Sequence, residues 1–369
     1  MSSLSLGIVG LPNVGKSTLF NALVKEGAAQ ASNYPFTTID PNVGTVAVPD
    51  VRLQRLADIV RPAKVIPAIV EFWDIAGIIK GASEGEGLVN QFLAHIRQTA
   101  ATILVVRCFD HPDVIHVNGR VDPRSDLETV QLELILADLG TVERALERYR
   151  RTARGGETTA KEALSYAEAL YATLEAARPA SSLPASTPGH ALVLRELQLL
   201  SAKPSLVVAN VSEEDITIAP STLATRYNLT DLIPAGSSIV PISAKVEAEL
   251  AALPADEQSE FLESYGLRES GLDRLIQSAY TLLSLQTFFT AGPQEVRAWT
   301  VPIGATAQEA AGVIHTDFIK GFIRAETIAY TDYDRLGGEI AAKEAGRLRL
   351  EGKEYTVQDG DIFHFRVNT

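Results

Sequence analysis

Cysteine is almost absent from this sequence, which contains one, Cys108, among 369 residues. A single thiol can form neither an internal disulfide nor a metal site built from several thiolates. This scarcity favours a reducing compartment such as the cytosol. Because Cys108 lies in an apolar run, TILVVRCF, we expect it to be a buried, inert thiol.

Basic residues and long apolar runs are also scarce. Lysine and arginine total 33 against 46 aspartate and glutamate, a net charge of −13 with histidine neutral. Contact with nucleic acid must therefore come from a local basic patch. No apolar run approaches the roughly 18 residues of a membrane span, and the first six residues lack the basic start of a signal peptide. We expect a cytoplasmic protein with no membrane partner and no sequence-specific DNA target.

The first part of the chain alternates short β-branched runs with helix-like stretches, from about residue 4 to 117. This alternation is typical of βαβ units around a mostly parallel sheet. From about residue 123 to 199 the composition becomes rich in Ala, Leu, Glu and Arg, with apolar residues at helical steps. The repeating positions are Leu132, Ile135, Leu139, Val142 and Leu146. They predict a helical hairpin, broken at Arg154-Gly155-Gly156.

Strand patterns then return with SLVVAN and SSIVPIS, so the helical part is interpreted as an insertion into the α/β domain. After residue 286 short strands and turn signals indicate a compact, strand-rich module of about 80 residues. The predicted division is a split domain at 1–120 and 200–286, a helical insertion at 121–199, and a last domain at 287–369.

Residues 10–17, GLPNVGKS, match the pattern G-x-x-x-x-G-K-[ST], and an apolar strand precedes them while an amphipathic helix follows. This context predicts a phosphate-binding loop for a nucleoside triphosphate. Lys16 would reach the β- and γ-phosphates, and the Ser17 hydroxyl would bind Mg²⁺. The predicted nucleotide contacts in this loop are Asn13, Val14, Gly15, Lys16, Ser17 and Thr18.

Two further segments have the pattern of nucleotide-dependent switches. Asp74-Ile75-Ala76-Gly77 follows an apolar strand, where a carboxylate can hold Mg²⁺ through water and a glycine can sense the γ-phosphate. Thr37 and Thr38 lie in the loop between, and Thr38 is the candidate second Mg²⁺ ligand. The switch residues are therefore Thr37, Asp74, Gly77 and Ile78.

The strand SLVVAN ends in Asn210-Val211-Ser212-Glu213, where guanine-reading proteins of this type carry Asn-Lys-x-Asp. The substitutions weaken the case for GTP, although Glu213 keeps a carboxylate that could still accept from guanine. Ser243, Ala244 and Lys245 follow the next strand and are predicted to complete the base-side wall. The Lys245 stem would pack on the purine plane.

Together these motifs resemble the Obg-like ATPase (YchF) family of TRAFAC-class P-loop NTPases. The segments that carry the resemblance are GLPNVGKST, NYPFTTIDPNVG, DIAGIIKGASEGEGL, VVRCFD and NVSE. The match covers nearly the whole chain and implies an Obg-type nucleotide domain, an inserted coiled coil and a C-terminal ubiquitin-like TGS domain. It also implies ATP rather than GTP, Mg²⁺, association with the ribosome, and a cytoplasmic role in translation or stress. With this resemblance, a regulatory role for Cys108 becomes the alternative to an inert thiol.

The residue after Gly77 is Ile78, which cannot hydrogen-bond the attacking water, so slow intrinsic ATP hydrolysis is expected. A backbone carbonyl, another side chain, K⁺ or a partner must orient that water. The resemblance implies that His116 has this catalytic role beside Lys16. Two alternatives remain: an Obg-type GTPase, and an ATP-gated binding module whose hydrolysis is incidental.

Overall fold

The computed structural model describes residues 4–31, 43–74, 88–110, 116, 119–234 and 236–368. Within these ranges the chain forms two six-stranded sheets, with helices packed against them. The strands are β1 Leu4–Val9, β2 Val43–Ala47, β3 Lys64–Ile66, β4 Ile69–Asp74, β5 Ala101–Cys108, β6 Ser205–Val211, β7 Ile239–Ile242, β8 Leu285–Ala291, β9 Glu295–Pro302, β10 Phe322–Ala329, β11 Arg349–Glu351 and β12 Asp361–Val367.

The helices are α1 Lys16–Ala31, α2 Val51–Val60, α3 Leu88–Gln98, α4 Pro123–Ala153, α5 Thr158–Glu175, α6 Pro188–Leu197, α7 Pro220–Arg226, α8 Ala244–Leu250, α9 Ala255–Ser264, α10 Gly271–Leu282, α11 Ala307–Ile314, α12 Asp317–Gly321, α13 Tyr330–Leu336 and α14 Glu339–Glu344. None of the helices in the described ranges is both long enough and apolar enough to cross a membrane.

The first sheet has the strand order β2-β4-β1-β5-β6-β7. Its strands pair in parallel except β2, which runs antiparallel to β4. Every residue of β1, β5 and β6 is buried. Strands covered on both faces are expected to be mainly apolar, and these are. The buried polar exceptions are Ser5, Thr102, Arg107, Ser205 and Asn210. The predicted α/β fold with a mostly parallel sheet is confirmed.

Parallel pairing places the carboxyl ends of several strands, and the loops that follow them, at one edge of this sheet. The strands β1, β4, β5, β6 and β7 all end there, because parallel strands share a direction. In open parallel sheets this carboxyl edge is where ligands bind. Four of the predicted site segments follow these strands at that edge.

The helical insertion consists of the 31-residue α4, the 18-residue α5 and the shorter α6, which share an apolar core. The helix α4 begins with Pro123 after the capping residue Asp122, whose side chain accepts from the amide of Ser125. It ends next to the predicted break, because Gly155 and Gly156 follow. One expected core position differs: the Leu132 side chain is 43% exposed and lies outside both neighbouring cores.

The second sheet has the strand order β11-β10-β12-β8-β9-β3 and includes a strand from far upstream. Residues 64–66 of β3 pair in parallel with residues 295–297 of β9. The helix α2 lies beside them and buries Leu53 and Leu56 in a core shared with Phe289 and Ile328. The sequence pattern assigned residues 1–120 to the first domain, but the structure packs residues 51–66 with the second sheet.

Arg52 joins this upstream segment to the C-terminal part of the chain. Its guanidinium donates to both oxygens of Asp50 and also to Asp359 at 2.6 Å. It also lies over the Phe289 ring, 5.2 Å from the ring centroid. We expect Arg52→Ala to lower the free energy of unfolding by roughly 1–2 kcal/mol, because several charged hydrogen bonds and a cation–π contact are lost. Urea unfolding measures this change.

Arg55→Ala is the matched control for Arg52→Ala. Arg55 lies on the same helix and pairs with Asp334, but more than half of its side chain is exposed. An exposed single ion pair contributes little, so the control is expected to change stability by less than about 0.5 kcal/mol. Equal effects of the two substitutions would contradict the assigned role of Arg52.

Candidate functional site

The loop between β1 and α1 is packed so closely that a side chain has no room at two of its positions. A Cβ atom on Gly10 would lie 2.5 Å from the carbonyl oxygen of Val105 in β5. A Cβ atom on Gly15 would lie 2.2 Å from Nδ2 of Asn210 in β6, and the φ angle of Gly15 is 97°. Glycine adopts this conformation without strain because it has no Cβ. The loop therefore rests against β5 and Asn210.

The loop leads directly into the N-terminus of α1. The first helical bond runs from the amide of Leu19 to the carbonyl of Gly15. The amides before it have no partner within the helix, and the helix dipole adds partial positive charge there. Asn13 also adopts a positive φ of 61°, which curls the loop. The predicted contacts 13–18 thus lie on a backbone suited to bind an anion.

Lys16 is the cation of this loop, and it is only 7% exposed. Its Nζ donates to the carbonyl oxygen of Leu11 at 2.7 Å. Burial lowers the pKa of Lys16 to about 8, while the nearby Asp74 carboxylate acts in the opposite direction. Burial likewise raises the pKa of Asp74, against the influence of Lys16. Burial therefore leaves the Lys16 ammonium group poorly solvated, and the Asp74 carboxylate compensates for this only in part.

Side chains with oxygen atoms that could bind a metal ion lie near the start of α1 and at the end of β4. Ser17 and Thr18 are exposed at the start of the helix. Asp74 is the last residue of β4 and lies in register with Ile8 of β1, two residues before Gly10. The remaining switch candidates, Thr37, Thr38, Gly77 and Ile78, lie outside the described residues.

Asn210 connects the phosphate loop to the base side of the site. Its Nδ2 donates to the carbonyl oxygen of Val14 at 2.9 Å. Its Oδ1 accepts from the amide of Ala244 at 3.0 Å. The side chain is buried, with the residue 4% exposed. One amide group thus links the loops after β1 and β7 and fixes their separation.

Three of the predicted base-side residues can offer little side-chain surface to a ligand. Val211, Ser243 and Ala244 are each at most 5% exposed. Val211 and Ala244 pack in the core of the first sheet. Their contribution to a ligand would come from their backbone, in contrast to Glu213 and Lys245.

Glu213 is held from two sides. Its Oε1 accepts from Nζ of Lys245, and its Oε2 accepts from the hydroxyl of Tyr265 at 3.3 Å. The hydrogen bond from Lys245 is the main reason that the pKa of Glu213 is lowered. The sequence analysis predicted Glu213 and Lys245 but missed Tyr265, which follows α9 and belongs to no motif. Only the tertiary structure brings these three side chains together.

His116 lies near the start of α4 and is 5% exposed. Its Nε2 is 2.8 Å from Oδ2 of Asp126, which is also buried and lies in the first turn of α4. The carboxylate therefore orients the imidazole ring. Asp126 is a further residue that the sequence analysis missed, because no motif relates it to His116.

Cys108 lies at the end of β5 and is 3% exposed. Burial raises the pKa of its thiol, and Asp126 and Asp215 act in the same direction. A protonated, buried thiol reacts poorly, because the thiolate is the nucleophile. The structure therefore favours the inert thiol over the regulatory one.

Two protein-family models match this chain. One, described as a 50S ribosome-binding GTPase, matches residues 5–140. The other is named for the C-terminal domain of YchF GTPases, is described as a protein of unknown function, and matches residues 285–368. The two matches therefore cover the phosphate loop and the strands of the second sheet from β8 onward.

Full-length relatives are similar across the whole chain. The protein named ribosome-binding ATPase YchF from Pasteurella multocida is 51% identical over 362 residues, 98% of each chain. The protein of the same name from Bacillus subtilis is 51% identical over 367 residues, 99% of this chain and 100% of the relative. A solved structure described as the Schizosaccharomyces pombe YchF GTPase matches with a TM-score of 0.86 at 38% identity, covering 99% of this chain and 98% of the other.

Proposed function

Because the chain belongs to the YchF family, we propose that it is a ribosome-binding ATPase that hydrolyses ATP to ADP and phosphate and acts as a nucleotide-controlled switch. The observation that carries this proposal is the buried Asn210 bridge. It joins a phosphate loop of the P-loop type to the base-side loop after β7 through the amide of Ala244. The relatives named as ATPases match both halves of this site.

The loop amides and Lys16 bind the triphosphate in this proposal. The Lys16 ammonium has one described hydrogen bond, to Leu11, and poor solvation. Burial removes water from the Lys16 ammonium group, and negatively charged phosphate oxygens would take the place of that water. Because the surroundings are less polar than water, the interaction between Lys16 and the phosphates would be stronger than in solution.

Magnesium is the metal that the oxygen donors of this site fit. Hard cations of this kind are bound through one or two protein oxygens together with substrate phosphates and water. The Ser17 hydroxyl would be a direct ligand and the Asp74 carboxylate would act through water, while Thr38 stays the candidate second ligand. When bound, the ion would neutralise charge on the β- and γ-phosphates.

Hydrolysis needs a group that orients the attacking water, and Ile78 cannot be that group. We retain His116 for this role, with Asp126 as the residue that fixes its ring. For Nε2 of His116 to hydrogen-bond the attacking water, its contact with Asp126 has to be exchanged for that water. This requirement agrees with slow intrinsic hydrolysis that a partner accelerates.

A cluster of arginines at the end of α4, in the helical insertion, is the proposed ribosome contact. Arg144, Arg148, Arg150, Arg151 and Arg154 are all exposed there. Arg148 pairs with Glu196 and Arg150 with Glu147. Among the described residues no carboxylate lies within ion-pair distance of Arg151 or Arg154, which suits contact with RNA phosphates.

Charge reversal at these two arginines tests the ribosome contact. Arg151→Glu with Arg154→Glu is expected to weaken co-sedimentation with ribosomes by roughly tenfold or more and to flatten its salt dependence, because two phosphate contacts become repulsive. ATP hydrolysis without ribosomes should stay unchanged. Arg195→Glu, an exposed charge on α6 of the same insertion, is the control. Unaltered sedimentation of the double variant would refute the contact.

Titration calorimetry with ATP, ADP, GTP and GDP in Mg²⁺ buffer tests the nucleotide assignment, with Lys16→Ala as the site control. We expect adenine nucleotides to bind at least tenfold more tightly, about 1.4 kcal/mol. Tighter guanine binding would instead support an Obg-type GTPase. Identical ribosome binding with ATP and with a non-hydrolysable analogue, together with no measurable turnover, would support an ATP-gated binding module.

The depressed pKa of Lys16 predicts proton uptake on ATP binding. The free protein loses the Lys16 proton as the pH rises through about 8, whereas the negative charge of bound phosphates would raise the pKa of Lys16 again. At about pH 9, where ATP itself is fully ionised, binding should take up about one proton and affinity should fall with rising pH. Calorimetry in two buffers of different ionisation enthalpy measures the uptake. No uptake at this pH would contradict the buried-ammonium description.

The remaining assignments depend on the same proposal. We infer a cytoplasmic location because ribosomes are the partner, and we retain a role in translation or stress. The division into 1–120 with 200–286, 121–199 and 287–369 also stays a proposal, as do a coiled coil in the insertion and a ubiquitin-like TGS domain at the end. Residues 51–66 pack with the last of these units.

A further inference from the structure

We propose that Tyr265 is a positioning residue for nucleotide selection: with Lys245 it hydrogen-bonds both carboxylate oxygens of Glu213 and so competes with guanine for the acceptor pair that guanine needs. The inference rests on the proposed ATPase function and concerns how the same site rejects GTP. The observation behind it is the pair of hydrogen bonds that reach the two oxygens of Glu213 from two separate places downstream in the chain, α8 and the residue after α9.

Tyr265 is well placed to hold this carboxylate in one position. Its ring packs against the core of the first sheet and lies 5.2 Å from the ring of Phe261, one turn earlier in α9. The hydroxyl donates a hydrogen bond to Oε2 of Glu213, a residue 52 positions earlier in the sequence. A ring anchored in this way gives up little conformational freedom when its hydroxyl binds.

The two purines place different demands on a carboxylate. Guanine presents donors at N1 and N2 side by side, so its recognition needs two free acceptor oxygens. Adenine has an acceptor at N1 and a donor only at N6, so it needs no such pair. In the structure Oε1 of Glu213 faces the Lys245 ammonium and Oε2 faces the Tyr265 hydroxyl. Guanine would have to compete with both donors for these oxygens, because each donor holds a lone pair and fixes the orientation of the carboxylate, whereas adenine would compete with neither.

A purely structural role for these contacts predicts a different outcome. The Lys245 side chain is largely exposed, at 69%, and the Glu213 side chain is partly exposed, at 36%. Exposed ion pairs add little to stability. If the contacts only supported the fold, removing them would change the two nucleotide affinities together and leave their ratio unchanged.

The test measures the ratio of the dissociation constants for GTP and ATP in the full-length protein. Tyr265→Phe keeps the ring packing and removes only the hydroxyl. We expect it to narrow the preference for ATP by roughly 3- to 10-fold, mainly through tighter GTP binding. Adding Lys245→Met, which keeps the aliphatic stem, should narrow the preference further. An unchanged ratio in both variants would overturn the proposal.

Two further variants show whether Tyr265 acts through Glu213. In a Glu213→Ala background, Tyr265→Phe should leave the nucleotide ratio unaltered, because the side-chain oxygens that accept from the Tyr265 hydroxyl are gone. A persistent effect in that background would also overturn the proposal. Tyr280→Phe is the matched control, since its hydroxyl contacts Thr300 in the second sheet and faces no base-side residue. Its ratio should equal that of the wild type.

The wild-type measurement separates this inference from the function on which it rests. If the wild type prefers ATP and the Tyr265 variants do not change the ratio, the role of Tyr265 is refuted and the ATPase stands. If the wild type binds GTP at least as tightly as ATP, the adenine assignment itself is refuted, and the role of Tyr265 with it.

Discussion

Replacing Lys16 with methionine is expected to lower kcat/KM for ATP by roughly 100-fold or more while the nucleotide-free protein becomes more stable. The activity falls because the cation that would stabilise charge on the β- and γ-phosphates is lost. The stability rises because burial of the ammonium group is costly. A pKa lowered from 10.5 to about 8 corresponds to about 3 kcal/mol in favour of the unfolded state at neutral pH.

Methionine removes this cost but also removes the hydrogen bond to Leu11, which is worth about 1 kcal/mol. The net gain should be about 1–2 kcal/mol, or a few degrees in Tm. Its pH dependence has a definite sign. Below about pH 8 lysine is charged in both the folded and the unfolded state, so the full cost is present and the variant gains most. The gain disappears as the pH rises from about 8 to 10.5, because the unfolded chain then also loses the proton.

Steady-state hydrolysis and thermal unfolding at several pH values check both parts. Lys25→Met is the control, because Lys25 is exposed on the same helix and should affect neither measurement. Near-normal hydrolysis by Lys16→Met would refute its role at the phosphates. A clear loss of stability at neutral pH would refute the description of Lys16 as an under-solvated cation.

Removing the Asn210 side chain should damage the fold and both halves of the site together. Asn210→Ala leaves the carbonyl of Val14 without its donor and the amide of Ala244 without its acceptor. Each unsatisfied buried group costs about 1–3 kcal/mol, so we expect a loss of about 2–4 kcal/mol in the free energy of unfolding. Affinity for adenine and guanine nucleotides should fall by tenfold or more, because the distance between the two loops is no longer fixed.

Urea unfolding and nucleotide titration measure these effects. Gln277→Ala is the control. It removes an exposed side-chain amide that donates to Glu269, and it should change the free energy of unfolding by less than about 0.5 kcal/mol. Asn210→Asp separates the two contacts: it keeps the acceptor for Ala244 but has no donor for Val14. If Asn210→Ala bound nucleotides normally, the bridge would have no part in ligand binding.

The phosphate loop could be predicted in detail because its chemistry is local. The glycine spacing, Lys16 and Ser17 are contiguous, and the flanking strand and helix have their own periodicities. The same holds for Asp74 at the end of an apolar strand and for Asn210 at the end of another. In each case the residue type, the position in the element and the neighbouring sequence indicate one role.

Tyr265 and Asp126 could not be found in this way. Tyr265 reaches Glu213 across 52 residues, and Asp126 meets His116 only because α4 begins next to it. The burial of Val211 and Ala244 is a similar case. Their motif predicts a ligand-facing wall, but packing in the core leaves only their backbone for that purpose. A motif gives residue order, whereas the direction of a side chain depends on what packs around it.

The sequence by itself determined the α/β class, the phosphate loop, the helical insertion and the strand-rich end of the chain, because these depend on local patterns of a few residues. Only the tertiary structure decided that α2 and β3 complete the second sheet, that Asn210 joins the two loops, and that Tyr265 and Lys245 hold Glu213. These contacts link positions far apart in the chain, and their free energies come from burial and hydrogen bonds that exist only once the chain has folded.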